Sequence, residues 1–391
     1  MIKLIKSTFY EEKKTKKALI NFITIAKQLS FGSECEKFEK SFAKWQKRKY
    51  AVSLNSGSSA NLAIIQALLN LGMLKKGDLV GFSAITWSTN VMPLIQLGLN
   101  PVPVDVELET LNVSSRTLNA IIEKFPLKML FITNLLGFCD DIDNIKKICD
   151  KKKIILIEDN CESLGSRYKG VLLGNYGLAS TFSFYVGHHM STIEGGAVCS
   201  DNEEIADMIK IVRAHGWDRN LSIKAQNNIR RRFKVNSSFY SRYVFYDLGY
   251  NLRPTEITGF LGNYQLKFID EIIMKRNKNF LKMAKVIYKN KNYYSIRYNH
   301  MDFLSNFAIP IVCKSEKLKD ELVKRCQGKI EIRPIVGGDI TKQPFFSKYQ
   351  TMFSKYLGDS NAKLIHTQGL YFGNNPELTN KEIDEILSVF K

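Results

Sequence analysis

From residue 49 onward, short apolar runs alternate with longer amphipathic stretches. "KYAVSL" (49–54), "DLVGFSAIT" (78–86), "NPVPVDV" (100–106), "KMLFITNLL" (128–136), "IILIEDN" (154–160), "LASTFSFYV" (178–186) and "GGAVCS" (195–200) read as strands. Between them, "SSANLAIIQALLNLG" (58–72), "WSTNVMPLIQLG" (87–98), "IDNIKKICDKKK" (142–153) and "NEEIADMIKIVRAHG" (202–216) carry helical periodicity. Near-continuous apolar strands separated by amphipathic helices predict an α/β fold: a mainly parallel sheet covered on both faces. In such sheets ligands collect at the carboxyl ends of the strands.

The pattern changes near residue 265. A long basic helix spans 263–290, and strands follow at "YSIRYN" (294–299), "FAIPIV" (307–312) and "KIEIRPIV" (329–336). Helices are expected at "SEKLKDELVKRC" (315–326) and "NKEIDEILSVF" (380–390). This predicts two units: residues 1–264, an N-terminal segment with the large domain, and residues 265–391, a smaller α+β domain. Residues 219–245 are polar, aromatic and basic, and read as a long functional loop or partner contact.

Composition narrows the function. The 391 residues are 45% hydrophobic, enough for a large core. No stretch approaches the roughly 20 apolar residues that span a bilayer. The N-terminus has no signal-peptide core, so a cytoplasmic location is expected, with no membrane partner. The seven cysteines are scattered, without a CxxC pair. That argues against a disulfide scaffold and gives no metal or iron–sulfur site. The net charge of +19 is spread over "KKTKK" (13–17), "KKICDKKK" (146–153) and "RRRFK" (230–234). These clusters are far apart and no nucleic-acid module accompanies them, so no nucleic-acid partner is expected.

Candidate chemistry gathers at strand ends. In "SLNSGSSANL", Gly57 and Ser58 open a helix after a strand. Free N–H groups there suit a phosphate, and equally a simple cap. Asp159 ends a strand deep over the sheet. A carboxylate there either caps a loop or pairs with a cation, such as a protonated ring nitrogen. Trp87 follows a strand at the same edge and either stacks on an aromatic ligand or packs in the core. "TFSFYVGHHMSTIEGGAVCS" (181–200) brings Ser183, His188 and His189 to a turn. Phosphate cradle, stacking face and ring partner together outline a pyridoxal 5'-phosphate site.

Five blocks, "NSGSSANL", "EDNCESLG", "SFYVGHHMSTIEGG", "GYNLRPTEITGFLG" and "IEIRPIVGG", follow in order. Over most of its length the chain resembles the DegT-type sugar aminotransferases, fold type I pyridoxal phosphate enzymes acting on nucleotide-linked keto sugars. The resemblance implies that Gly57, Ser58 and Ser183 hold the phosphate. It implies that Trp87 stacks on the ring and Asp159 pairs with its nitrogen. It also implies that Asn251 reaches the phosphate of a second subunit, hence a homodimer with shared active sites.

One position departs from that family. Five residues after Ser183, where the aminotransferases carry the lysine that binds the coenzyme, stands His188. An imidazole makes no stable imine, so the resemblance implies a coenzyme not covalently attached to lysine. Imidazole still moves protons near neutral pH. "HH" before "EGG", together with Glu162 in place of the usual glutamine, resembles the family's 3-dehydratase branch. The cysteines of that branch's iron–sulfur type are missing from "HGWDRNLSIKAQNNIRRRFKVNSSF" (215–239). The chain therefore resembles the cluster-free type, the GDP-4-keto-6-deoxy-mannose 3-dehydratases.

The implied partners are L-glutamate and a GDP-linked 4-keto-6-deoxy sugar. The cofactor is implied to cycle between pyridoxal and pyridoxamine 5'-phosphate, and a place in lipopolysaccharide or capsule dideoxysugar biosynthesis follows. Arg219 and Arg333 are candidates for the glutamate carboxylates, or for surface ion pairs. His189 either contacts substrate or positions its neighbour. "RRRFK" either meets the nucleotide diphosphate or is solvated. The sugar is a hexose or a heptose. Two other readings stay open: an aminotransferase recruiting another lysine, and a non-catalytic sugar-nucleotide binder.

Overall fold

The computed structural model describes residues 1–350 and 357–390. Residues 351–356 and Lys391, part of the expected second unit, lie outside the described residues. Strands β1 (Tyr50–Leu54), β2 (Leu79–Ser83), β3 (Asn100–Val104), β4 (Met129–Thr133) and β5 (Ile155–Asp159) come first. A small hairpin, β6 (Arg167–Tyr168) and β7 (Val171–Leu172), precedes β8 (Ala179–Ser183) and β9 (Gly196–Ser200). Seven of these form one sheet in the order β1-β9-β8-β5-β4-β2-β3. Only β9 runs against the rest, pairing antiparallel with β1 and β8. The carboxyl ends of the other six strands therefore share one edge.

Helices α1 (Glu12–Ile25), α2 (Ser33–Gln46), α3 (Gly57–Asn70), α4 (Met92–Gln96), α5 (Ser115–Ile122), α6 (Ile142–Lys152) and α7 (Glu203–Arg213) belong to this part. Ala60, Ile64 and Leu68 of α3 pack with Val52, Phe131, Ile157 and Val198 of the sheet. On the other face Phe38 and Phe42 of α2 meet Phe182 and Ala197. Both faces are thus dry, as the unbroken apolar strands require. The fold is α/β, as expected.

Three expectations need correction. Residues 219–245 are not one loop: α8 (Ile223–Arg232) lies within them, with Ser222 accepting from Ala225 N–H. A capping serine followed by helix formers suffices for this helix, although none of its residues is buried. The long helix expected over 263–290 is two helices, α9 (Glu256–Gln265) and α10 (Ile269–Ile287), joined by a tight turn at 266–268. Residues 294–299 form no strand. Ile296 is buried, but Arg297 N–H donates to the carbonyl of Glu109, outside any ladder. Alternating apolar side chains were satisfied by packing alone.

The second sheet is antiparallel, β10 (Ala308–Val312), β12 (Gly369–Gly373) and β11 (Ile332–Pro334) in that order. Helices α11 (Glu316–Cys326), α12 (Pro344–Tyr349), α13 (Asn361–Gln368) and α14 (Asn380–Phe390) accompany it. The N-terminal segment, expected with the large unit, begins against this second one. Ile2 N–H donates to the carbonyl of Lys329 at 2.6 Å, and Glu331 N–H donates back to the carbonyl of Ile2 at 2.8 Å.

Candidate active site

A cavity of about 360 Å³ opens at the shared carboxyl edge of the large sheet. Gly57, Ser58, Trp87, Asp159, Glu162, Ser183 and His188 all line it. They arrive from the ends of four strands, β1, β2, β5 and β8, or from the turns after them, which is how distant sequence blocks converge.

The N-terminus of α3 points into this cavity. Ser56 caps it, accepting from Ser59 N–H at 3.0 Å. The first N–H groups of a helix have no partner within it, and they carry the positive end of the dipole. A Cβ at Gly57 would lie 2.6 Å from the Cβ of Ser183 and 3.2 Å from the Sγ of Cys161. Only glycine lets the helix start sit this close to the Ser183 hydroxyl, so backbone donors and hydroxyl face one spot, as an anion requires.

Asp159 is 4% exposed. Its Oδ2 accepts from Asn61 Nδ2 (3.0 Å) and Asn90 Nδ2 (2.7 Å), and its Oδ1 from Cys161 N–H (2.9 Å). Among the described residues it has no ion-pair partner. A buried carboxylate held by three neutral donors and facing a cavity suits a protonated ring nitrogen. Trp87 is 55% exposed, so its indole is presented at the rim rather than buried in the core. These features fit pyridoxal phosphate: cradle, ring partner and flat wall.

His188 sits on the turn between β8 and β9. Its Nδ1 lies 2.5 Å from the carbonyl oxygen of Cys161. A carbonyl only accepts, so Nδ1 carries the proton and Nε2 keeps its lone pair. Burial lowers the imidazole's proton affinity below the usual 6.5; the Cys161 bond and Asp159 oppose this in part. At neutral pH the ring is uncharged and ready to accept a proton. Glu162 binds Leu136 N–H through Oε2 at 2.8 Å. Burial pushes its carboxyl up to about 7, and nearby Asp159 adds to the effect.

Four predicted residues do not line the cavity. His189 is buried and does not line the cavity: its Nε2 donates to the carbonyl of Ser305 at 2.8 Å. That bond ties the turn to the segment around Ser305. Arg219 donates to the carbonyl of Arg242 and stacks over Trp217 at 4.0 Å, away from this chain's cavity. Arg333 pairs with Glu331 and stands opposite Tyr371 in the β11–β12 register. Opposed residues share a face, and Tyr371 lines the cavity, so Arg333 lies on the cavity side. Asn251 is exposed, accepts from Arg253 Nε at 3.1 Å, and is not among this chain's lining residues.

Sequence reasoning missed Asn61, Asn90 and Tyr371. Asn61 is the one polar residue in the apolar run "ANLAII", four positions after Gly57 and so on the same helix face. That signal was legible. Asn90 and Tyr371 gave none.

Residues 10–391 match the DegT/DnrJ/EryC1/StrS aminotransferase family. The chain is 36% identical over 381 residues to GDP-4-keto-6-deoxy-D-mannose 3-dehydratase of Yersinia pseudotuberculosis, covering 95% of this chain and 94% of that one. A solved GDP-4-keto-6-deoxymannose-3-dehydratase with a trapped PLP–glutamate geminal diamine is 32% identical, with a TM-score of 0.88 and full coverage of both chains. The E. coli GDP-4-keto-6-deoxy-D-mannose-3-dehydratase with bound hydrated PLP is also 32% identical, with a TM-score of 0.86, covering 100% of this chain and 99% of the other.

Proposed function

The chain belongs to the DegT/DnrJ/EryC1/StrS aminotransferase family, and we propose that it removes the C3 oxygen of a GDP-linked 4-keto-6-deoxy sugar. The observation that carries this is His188 at the lysine position, with Nε2 free at the cavity that Asp159 and Gly57 also line. The supporting relatives are 3-dehydratases along their whole length.

Gly57, Ser58 and Ser183 hold the coenzyme phosphate, Trp87 its ring face, Asp159 its nitrogen, and Glu162 borders the ring. Bound there, pyridoxal or pyridoxamine 5'-phosphate supplies an electron sink for removing a proton next to the amino nitrogen. His188 Nε2 takes and returns that proton, while Nδ1–H stays on the Cys161 carbonyl. No lysine amine stands at this place to hold the nitrogen, which supports its loss as ammonia. The overall reaction balances. The sugar loses one oxygen, and L-glutamate becomes 2-oxoglutarate and ammonia, gaining one. Arg333, on the cavity side of the second sheet, is the candidate for a glutamate carboxylate.

Incubation with glutamate and candidate GDP- and CDP-4-keto sugars, hexose and 6-deoxy-heptose, tests the reading by mass spectrometry of the products. The expected product has lost 16 mass units, roughly one oxygen, from a GDP hexose, with ammonia released in equal amount. A stable amino sugar instead of ammonia would make the chain an aminotransferase. No turnover of any of them would favour a binding protein.

The proposed assembly is a homodimer in the cytoplasm in which Asn251 of one chain serves the cavity of the other. Phe239, Tyr240, Tyr243, Phe245 and Leu248, shortly before Asn251, are all well exposed. Such an apolar patch is unusual on a surface that stays free. No helix among the described residues is long and apolar enough to cross a membrane. Sedimentation at micromolar concentration is expected to give twice 44.8 kDa; a single 44.8 kDa species removes the shared site.

A further inference from the structure

The wall behind the catalytic turn contains a buried cation without an anion. Arg276, on α10, is 3% exposed. Its Nη1 donates to the carbonyls of Phe307 (3.1 Å) and Asn374 (2.6 Å), and its Nη2 to the carbonyl of His188 (3.1 Å). Its Nε has no partner, and no carboxylate pairs with it among the described residues. A buried guanidinium normally meets a carboxylate, because an unpaired buried charge is costly. Here three backbone carbonyls from three segments replace it. Asn374 closes the arrangement, its Nδ2 donating back to the carbonyl of Arg276 at 2.9 Å.

We propose that Arg276 is a positioning residue for the reaction: its guanidinium fixes the backbone of the turn that carries His188 and presents a buried positive charge behind the imidazole. The inference rests on the proposed role of His188 as the proton carrier. Three carbonyl anchors lock the turn to the loops around Phe307 and Asn374, so the ring is held by its own backbone as well as by Cys161. The charge acts through space. Asp159, at the end of β5, favours the protonated ring, while Arg276 favours the neutral one. Cys161 and Glu162 follow Asp159; burial raises the thiol well above its ordinary value and the Glu162 carboxyl to about 7. On the turn, burial, with Arg276 adding, keeps His189 neutral. Tyr185 and Glu194 of the same turn, and Tyr371 of β12, line the cavity with His188. Glu377 borders a small cavity on the far side. Burial pulls the Arg276 guanidinium down to about 9, so among these groups it is the one cation at neutral pH.

The test is a titration of His188 in the coenzyme-free protein, followed by NMR of ring-labelled histidine. The chain has five histidines, and the His188 signal is the one lost in His188→Asn. The expected wild-type midpoint is below 6.5. Arg276→Gln raises it, because the charge that favours the neutral ring is gone. Arg276→Lys keeps the charge and leaves the midpoint near wild type. With two or more anchors lost, kcat falls about tenfold while KM for the sugar changes little. An unchanged midpoint in Arg276→Gln overturns the proposal. Should that variant fail to fold, a wild-type midpoint at or above 6.5, or a Lys variant with unaltered kcat, does so instead. The titration uses neither coenzyme nor sugar, so its outcome is independent of whether the proposed substrate is right.

Discussion

Replacing His188 with asparagine is expected to cut deoxygenation by about a thousandfold or more, within the range a positioned acid–base group supplies. Asparagine keeps a donor for the Cys161 carbonyl, so the turn keeps its shape. What disappears is the lone pair on Nε2. Coenzyme affinity should stay within about threefold, because the phosphate cradle and Asp159 lie on other elements. An absorbance titration with pyridoxal phosphate measures that affinity, and product analysis measures the rate. In the wild type, the acid limb of kcat reports the same nitrogen. Burial depresses the imidazole, so the neutral, proton-accepting form persists below pH 6.5 and activity falls only beneath that value. An acid limb at higher pH, or an asparagine variant retaining a tenth of the rate, would place proton transfer on another group.

The strands of the large sheet were legible because they are buried on both faces and therefore largely apolar or small. The convergence of Gly57, Trp87, Asp159, Ser183 and His188 was legible for a related reason. In a parallel sheet every strand delivers its next residues to one edge. Residues 294–299 misled, since an alternating apolar pattern looks the same whether the backbone pairs in a ladder or with loop carbonyls. Arg276 lies in "IIMKRNKNF", where one arginine among lysines resembles solvated surface. Helical phase distinguishes it: Ile269, Ile272, Ile273, Arg276 and Phe280 fall on one buried face. A lone charge in an apolar stripe was a readable signal. What replaces its missing anion was not, because carbonyls leave no trace in side-chain identity. The same holds for Cys161, whose carbonyl, not its thiol, orients His188. Asn251 and Arg219 show a further limit: neither lines this chain's cavity, and nothing in their sequence blocks separates them from Gly57 or Ser183, which do.

The second large effect is expected at Asp159. Asp159→Asn is nearly isosteric, yet it removes the negative charge proposed to face the ring nitrogen. Truncating one partner of a buried, hydrogen-bonded pair costs about 3–5 kcal/mol, so the rate should fall by roughly 10²–10³ or more. Coenzyme affinity should weaken by at least about tenfold. The fold should survive. The new amide nitrogen meets Asn61 and Asn90, whose Oδ1 atoms are buried without partners, so either amide can turn to accept from it. Circular dichroism and thermal melting of the coenzyme-free variant check that point. A coenzyme analogue with a fixed positive charge on the ring nitrogen separates charge from packing. Methylated at that nitrogen, it needs the space opened by Asp159→Ala and no longer needs a carboxylate to keep its charge. At least a tenfold recovery of the Asp159→Ala rate with the analogue, relative to the natural coenzyme, is the expected result. Equal rates with both would mean that Asp159 acts by packing the strand end, and the electron-sink role assigned to this carboxylate would fall.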